Sequence, residues 1–101
     1  MPDTKTGAEL IAAERQRQIE AEGYTPEHDA QHETGELCRA GAAYALFAGR
    51  NEVLAECVWP FERSGFKPVR TDSWDATGSL VKAGALIAAA IDRLAEVRDG
   101  R

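Results

Sequence analysis

The sequence predicts a mainly α fold: a three-helix domain with a long ordered aromatic loop between its second and third helices. Three runs of apolar residues recur at helical spacing, and a stretch with two prolines and four aromatic residues separates the last two runs. The chain has 101 residues, which suits one domain spanning residues 1–101. A short strand within the aromatic loop is compatible with this pattern.

The first helix is predicted at residues 6–22. Thr6-Gly7-Ala8-Glu9 reads as a capping box, in which the two side chains satisfy free amide donors at the helix start. One stripe of the helix then contains Ala8, Ile11, Ala12, Arg15 and Ile19. Gly23 suits a left-handed position at the helix end.

The second helix is predicted at residues 26–48. Thr25 is a suitable N-cap and Pro26 suits the first helical position. Its apolar stripe consists of Leu37, Ala40, Gly41, Tyr44 and Ala48. The pair Thr34-Gly35 leaves open whether this segment is one helix or two.

The loop is predicted at residues 50–78 and the third helix at residues 79–98. Apolar and small residues surround this helix almost completely, which indicates burial on several sides. In a three-helix subunit only two other helices can pack against it, and they would cover it poorly. We therefore expect a homo-oligomer with the third helix at or near the interface.

The charge balance limits the classes of partner. Twelve Lys or Arg against 17 Asp or Glu give a net charge of −5, which argues against a broad duplex nucleic-acid surface. A small anionic ligand needs only a few basic side chains. The sequence shows no membrane span and no signal-peptide pattern, so we expect a cytoplasmic protein without a membrane partner.

The first candidate site is His28-x-x-x-His32-x-x-x-Glu36. On a continuous helix this spacing places all three side chains on one face, where they suit zinc, iron or manganese. The same spacing is also typical of a solvated polar face or of ligand-contacting groups. We predict no bound metal or cofactor.

The second candidate is Glu33-x-x-Glu36, whose carboxylates could share a magnesium ion. Glu33-Thr34-Gly35-Glu36-Leu37 resembles the start of the motif of all-α nucleotide pyrophosphohydrolases of the MazG type. That family also has a Glu-x-x-Asp pair on a later helix. Here Asp92 has Ala89 in the place of its partner, and the pair Asp72 and Asp75 lies in the predicted loop.

The third candidate is the loop itself. Trp59, Phe61, Phe66 and Trp74 offer stacking surfaces, and Arg63, Lys67 and Arg70 offer positive charge. Arg15, Arg39 and Lys82 on the helices could point to the same pocket. The alternative is a loop fixed to the core by its own aromatic side chains.

Several blocks together resemble a family of small proteins from tailed bacteriophages and prophages. They are AAERQRQIEAEGYTPEHDAQHETGEL, AGAAYA, VWPF, FKP and LVKAGALIAAAIDRL. The family pattern has tryptophans where this chain has Phe61 and Phe66, and a short link with RRD where it has TDSWDATGS. The resemblance implies a phage origin without implying a reaction.

These observations predict a non-enzymatic phage accessory protein that binds a nucleotide-like small molecule, such as a sponge that sequesters a host defence signal. Stacking is assigned to Trp59, Phe61, Phe66 and Trp74; phosphate contacts to Arg15, Lys67, Arg70 and Lys82; base or ribose contacts to His28, His32 and Glu36. Two alternatives remain open. One is a magnesium-dependent pyrophosphohydrolase that uses Glu33 and Glu36, and the other is a module that binds a host protein.

Overall fold

The computed structural model describes residues 5–22, 34–68 and 76–99, which form a compact and mostly helical domain. Its elements are α1 (Gly7–Glu22), α2 (Thr34–Ala48), α3 (Glu52–Val58), a 3-10 turn (Arg63–Gly65) and α4 (Thr77–Asp99). Within these ranges the chain forms no strand. Predictions that fall on His28, His32, Glu33, Arg70, Asp72, Trp74 and Asp75 lie outside the described residues.

Helix α1 begins with the predicted capping box. The Thr6 amide donates to Glu9 Oε1 at 2.9 Å, and the Glu9 amide donates to Thr6 Oγ1 at 3.2 Å. The predicted apolar stripe is only partly right, because Ala8 and Ala12 are exposed. Arg15, a member of that stripe, is buried, and the polar Gln18, which lies outside it, is buried as well.

Helix α2 buries every residue of its predicted stripe, and Phe47 joins them in the core. It ends in a Schellman motif: the Asn51 amide donates to the Leu46 carbonyl at 2.9 Å, and the Arg50 amide donates to the Phe47 carbonyl at 3.0 Å. Arg50 takes the left-handed position, with φ 68°. Glycine usually occupies that position, and in this chain it stands one residue earlier.

Helix α3 lies inside the segment predicted as loop, so that part of the prediction is wrong. Asn51 caps it, since its Oδ1 accepts from the Leu54 amide at 3.2 Å. The helix has seven residues, and only Ala55 is buried. So short an element cannot show the apolar periodicity that identifies longer helices.

Helix α4 is central, with α1 and α2 packed against different sides of it. Two glycines permit these close contacts. An added Cβ on Gly84 would lie 2.5 Å from Ile11 Cδ1, and one on Gly41 would lie 3.2 Å from the Ala83 carbonyl oxygen. The arrangement is flat, measuring 45 × 39 × 20 Å along its principal axes. One apolar side of α4 stays exposed among the described helices, which agrees with the expectation that a single three-helix subunit covers this helix poorly.

Candidate ligand-binding groove

A cluster of aromatic rings joins the segment after α3 to the core. The Tyr44 ring on α2 lies 5.6 Å from that of Trp59, edge to face, and 5.0 Å from that of Phe66. Trp59 also contacts Phe61 at 5.4 Å and Phe66 at 5.1 Å. These separations are those of favourable aromatic pairs, so the rings hold the segment against α2.

Hydrogen bonds fix the same segment. Trp59 Nε1 donates to the Glu62 carbonyl at 2.8 Å, and the Lys67 amide donates to Tyr44 Oη at 3.0 Å. The described part of the predicted loop is therefore attached to α2 through its own aromatic residues. Trp59, Phe61 and Phe66 remain only half-buried, and the surface they leave accessible borders a groove.

The groove has a volume of about 320 Å³ and lies between α3 and the turn that follows it. Its lining consists of Val53, Glu56, Cys57, Trp59, Phe61, Arg63 and Phe66. This volume is at the lower end of the range for small-molecule pockets. An apolar aromatic wall with a few charged groups at its rim is typical of such sites.

The rim carries one ion pair. Arg63 Nη2 donates to Glu56 Oε1 at 2.6 Å, while 79% of the Arg63 side chain is exposed. This hydrogen bond raises the pKa of Arg63 further, so the guanidinium stays charged. The groove therefore presents a fixed cation beside a carboxylate and an apolar wall.

Two of the predicted phosphate-binding residues, Arg15 and Lys82, lie instead at the contact between α1 and α4. Lys82 Nζ is 3.9 Å from Glu14 Oε2 and 5.9 Å from the centre of the Tyr44 ring. Glu14 also accepts two hydrogen bonds of 2.7 Å from Arg17. The bond from Arg17, with the charge of Lys82, lowers the pKa of Glu14, so its carboxylate is ionised at neutral pH.

The buried Gln18 belongs to the same contact. Its Nε2 donates to Glu14 Oε2 at 3.2 Å, while its buried Oε1 has no hydrogen-bond partner among the described residues. A buried acceptor without a donor is uncommon in folded proteins. A hydrogen-bond donor placed beside Gln18 Oε1 would therefore be stabilised by this free acceptor.

Of the residues considered for magnesium binding, Glu33, Asp72 and Asp75 lie outside the described residues, so only Glu36 and the later Asp92 can be located. Arg15 contacts Asp92 Oδ2 through Nε at 3.4 Å and through Nη2 at 3.3 Å. Position 89 is alanine, so no carboxylate accompanies Asp92 at the position of the MazG-type motif. Glu36 lies half-buried in the first turn of α2. Among the described residues, no three His, Cys, Asp or Glu side chains come together as a metal site.

Lys67 is exposed and does not line the groove, so Arg63 is the basic residue that the described structure places there. The prediction missed Val53, Glu56 and Cys57. They share one face of α3 at i, i+3 and i+4 spacing, a signal that could be used only if a helix were assigned there.

No family model, curated protein or solved structure matches this chain. None of the described helices combines the length and apolar character needed to cross a membrane. The structure itself therefore provides the description of the protein, which is a small, mostly helical domain with an aromatic groove.

Proposed function

We propose that the protein binds a nucleotide-like small molecule in the aromatic groove and does not turn it over. The observation that carries this proposal is the convergence of three half-buried rings and one exposed arginine on a space of about 320 Å³. Apolar rings alone would suit many ligands. The adjoining cation favours one that has both a flat ring and an anionic group.

The rings would hold the base. Stacking of a base on an aromatic side chain contributes about 1–3 kcal/mol and tolerates any base identity. Trp59, Phe61 and Phe66 are already oriented by their contacts with one another and with Tyr44, so little side-chain entropy is lost on binding. The small volume favours one base with its sugar and phosphate over an extended oligonucleotide.

The ion pair of Arg63 and Glu56 would bind the polar groups of the ligand. A guanidinium forms paired hydrogen bonds with phosphate oxygens, and Arg63 is exposed enough to do so. A phosphate there competes with Glu56 for Arg63. The carboxylate so released can accept a hydrogen bond from a ribose hydroxyl or a base amino group. Arg63 and Glu56 thus take the roles that the sequence assigned to Lys67 and Glu36.

Binding without turnover is favoured by the surroundings of Asp92 on α4. Asp92 pairs with Arg15, which lowers its attraction for magnesium. Position 89, where the MazG-type motif has a second carboxylate, is alanine. These two observations support a binding protein over the MazG-type hydrolase.

The resemblance to proteins of tailed phages and prophages extends the proposal. A phage protein that binds a nucleotide without altering it could sequester a host defence signal, with each groove removing one molecule. This role requires abundance and affinity, and no catalytic group.

Arg63→Gln tests the groove, with Arg17→Gln on α1 as the matched control. Isothermal titration calorimetry against nucleoside mono- and triphosphates and cyclic dinucleotides should find a ligand of the wild type. Arg63→Gln should weaken it roughly tenfold or more, because a charge-assisted contact is lost, while Arg17→Gln should retain wild-type affinity. Equal affinity in both variants, or no binding by the wild type, would refute the groove assignment.

Turnover is measured on the same panel with added Mg²⁺. Unchanged nucleotides after long incubation are expected. Hydrolysis that Glu36→Gln abolishes would instead support the pyrophosphohydrolase.

A further inference from the structure

The 3-10 turn that carries Arg63 is attached at both ends to side chains of aromatic residues. Before the turn, Trp59 Nε1 donates to the Glu62 carbonyl at 2.8 Å. After it, the Lys67 amide donates to Tyr44 Oη at 3.0 Å, a bond between residues 23 positions apart. The position of the turn relative to α2 therefore depends on these two hydrogen bonds.

The Tyr44 hydroxyl acts on Arg63 through the backbone. The Phe66 amide donates to the Arg63 carbonyl at 3.1 Å and closes the turn, and Lys67 follows Phe66 directly. Tyr44 itself is buried and does not line the groove. Its hydroxyl can therefore influence a ligand only by holding the turn in place.

We infer that Tyr44 is a positioning residue of the groove, whose hydroxyl holds Arg63 where it meets a phosphate and so sets the preference for a phosphorylated ligand. This inference rests on the function proposed above. A segment that is fixed before binding loses less conformational entropy when the ligand arrives. The Phe66 ring lies 5.0 Å from the Tyr44 ring and 6.1 Å from the Phe47 ring, and neither contact involves the hydroxyl. The hydroxyl therefore supports the phosphate contact more than the stacking of the base.

The ion pair with Glu56 restrains Arg63 only until a ligand binds. Glu56 Oε1 accepts from Arg63 Nη2 at 2.6 Å, and an incoming phosphate competes for the same guanidinium. The Arg63 side chain is 79% exposed, so packing contributes little to its placement. With the phosphate bound, the placement of Arg63 depends on the turn and on its attachment to Tyr44.

Tyr44→Phe tests the inference, because it removes one oxygen atom and keeps the ring. Isothermal titration calorimetry compares the four ribonucleoside monophosphates with the matching nucleosides. Tyr44→Phe should weaken the monophosphates roughly three- to tenfold, the loss expected for one hydrogen bond. It should leave the nucleosides within about twofold, because the stacking rings remain. Lys67→Ala is the matched control: it removes a basic side chain but keeps the backbone amide that bonds to Tyr44, so both affinities should be retained.

The ratio of the two affinities separates positioning from a merely structural role. An equal loss for monophosphates and nucleosides in Tyr44→Phe, or no loss for either, would overturn the inference alone. No binding of any of these compounds by the wild type would refute the proposed function and this inference with it.

Amide hydrogen exchange tests the attachment without a ligand. In Tyr44→Phe the amides of Lys67 and Phe66 should exchange faster than in the wild type, because the end of the turn is released. The Ala55 amide, which donates to the Asn51 carbonyl in α3, should keep its protection. In Lys67→Ala the amide at position 67 should also stay protected. Unchanged protection at position 67 in Tyr44→Phe would overturn the inference, because the hydroxyl would then not hold the turn.

Discussion

Gly84→Ala tests the contact between α1 and α4, because it adds one methyl group at the closest approach of the two helices. The new Cβ would lie 2.5 Å from Ile11 Cδ1 and 2.7 Å from Ile11 Cγ1. Carbon atoms in favourable contact are about 3.5–4.0 Å apart. Ile11 must therefore move by about 1 Å, which requires a new rotamer or a displacement of α1.

The free energy of unfolding reflects two opposing effects. Replacing glycine by alanine inside a helix stabilises it by about 0.5–1 kcal/mol. Overpacking costs about 1–3 kcal/mol. The net expectation for Gly84→Ala is a loss of about 1 kcal/mol. In an Ile11→Ala background the obstructing atoms are gone, so Gly84→Ala should stabilise by about 0.5–1 kcal/mol.

The assay is a double-mutant cycle measured by urea denaturation at one fixed protein concentration, since self-association would shift apparent stability. The expected coupling between positions 11 and 84 is the difference between these two effects, about 1.5–2 kcal/mol. Gly7→Ala is the control, because no atom lies within 4 Å of its added Cβ. If Gly84→Ala stabilises both backgrounds equally, Ile11 does not occupy the space over Gly84 and the packing argument fails.

Two further predictions concern the end of α2 and the charges on α1. Arg50→Gly should raise the free energy of unfolding by about 0.5–1 kcal/mol, because glycine adopts φ 68° without the steric cost of a side chain; thermal unfolding measures this, and a loss of stability would contradict it. Glu14→Gln should cost about 0.5–1 kcal/mol at neutral pH, since the exposure of Arg17 screens the pair. The pKa of Glu14 is depressed in the folded state, so its contribution is complete above the ordinary glutamate pKa and is lost as pH falls through the folded value. The stability difference between wild type and Glu14→Gln should therefore vanish well below about pH 4.3, and a difference that persists there would contradict the assignment.

Local and periodic signals predicted the fold well. The capping box at Thr6 depends on residues three apart, and the buried stripe of α2 repeats over several turns. Helix α3 was missed because seven residues provide fewer than two apolar repeats, and its start depends on the Asn51 cap. The inward face of α1 was misjudged at Ala8 and Ala12, which are exposed, and at Gln18, which is buried by contacts formed only after α4 packs.

The candidate groove was predicted only in part, because pairing between distant residues decides which charged side chains remain available to a ligand. Arg15 is a strong candidate for phosphate binding until Asp92, 77 positions later, is seen beside it. The aromatic wall was predictable, since Trp59, Phe61 and Phe66 stand close together in the chain. Arg63 was among the loop cations, but only the turn that contains it selects it over Lys67.

The aromatic rings both line the groove and pack against the core, and this limits which substitutions can test ligand binding. Trp59 contacts Tyr44 and Phe66, and Phe66 also contacts Phe47, which is among the most deeply buried side chains. Removing Trp59 would therefore weaken the core as well as the groove, since deletion of a large aromatic side chain typically costs about 3–5 kcal/mol when it is fully buried. Loss of binding in Trp59→Ala would not separate a ligand contact from unfolding. The rim residue Arg63 contributes charge without core packing, so its substitution reports on the ligand alone.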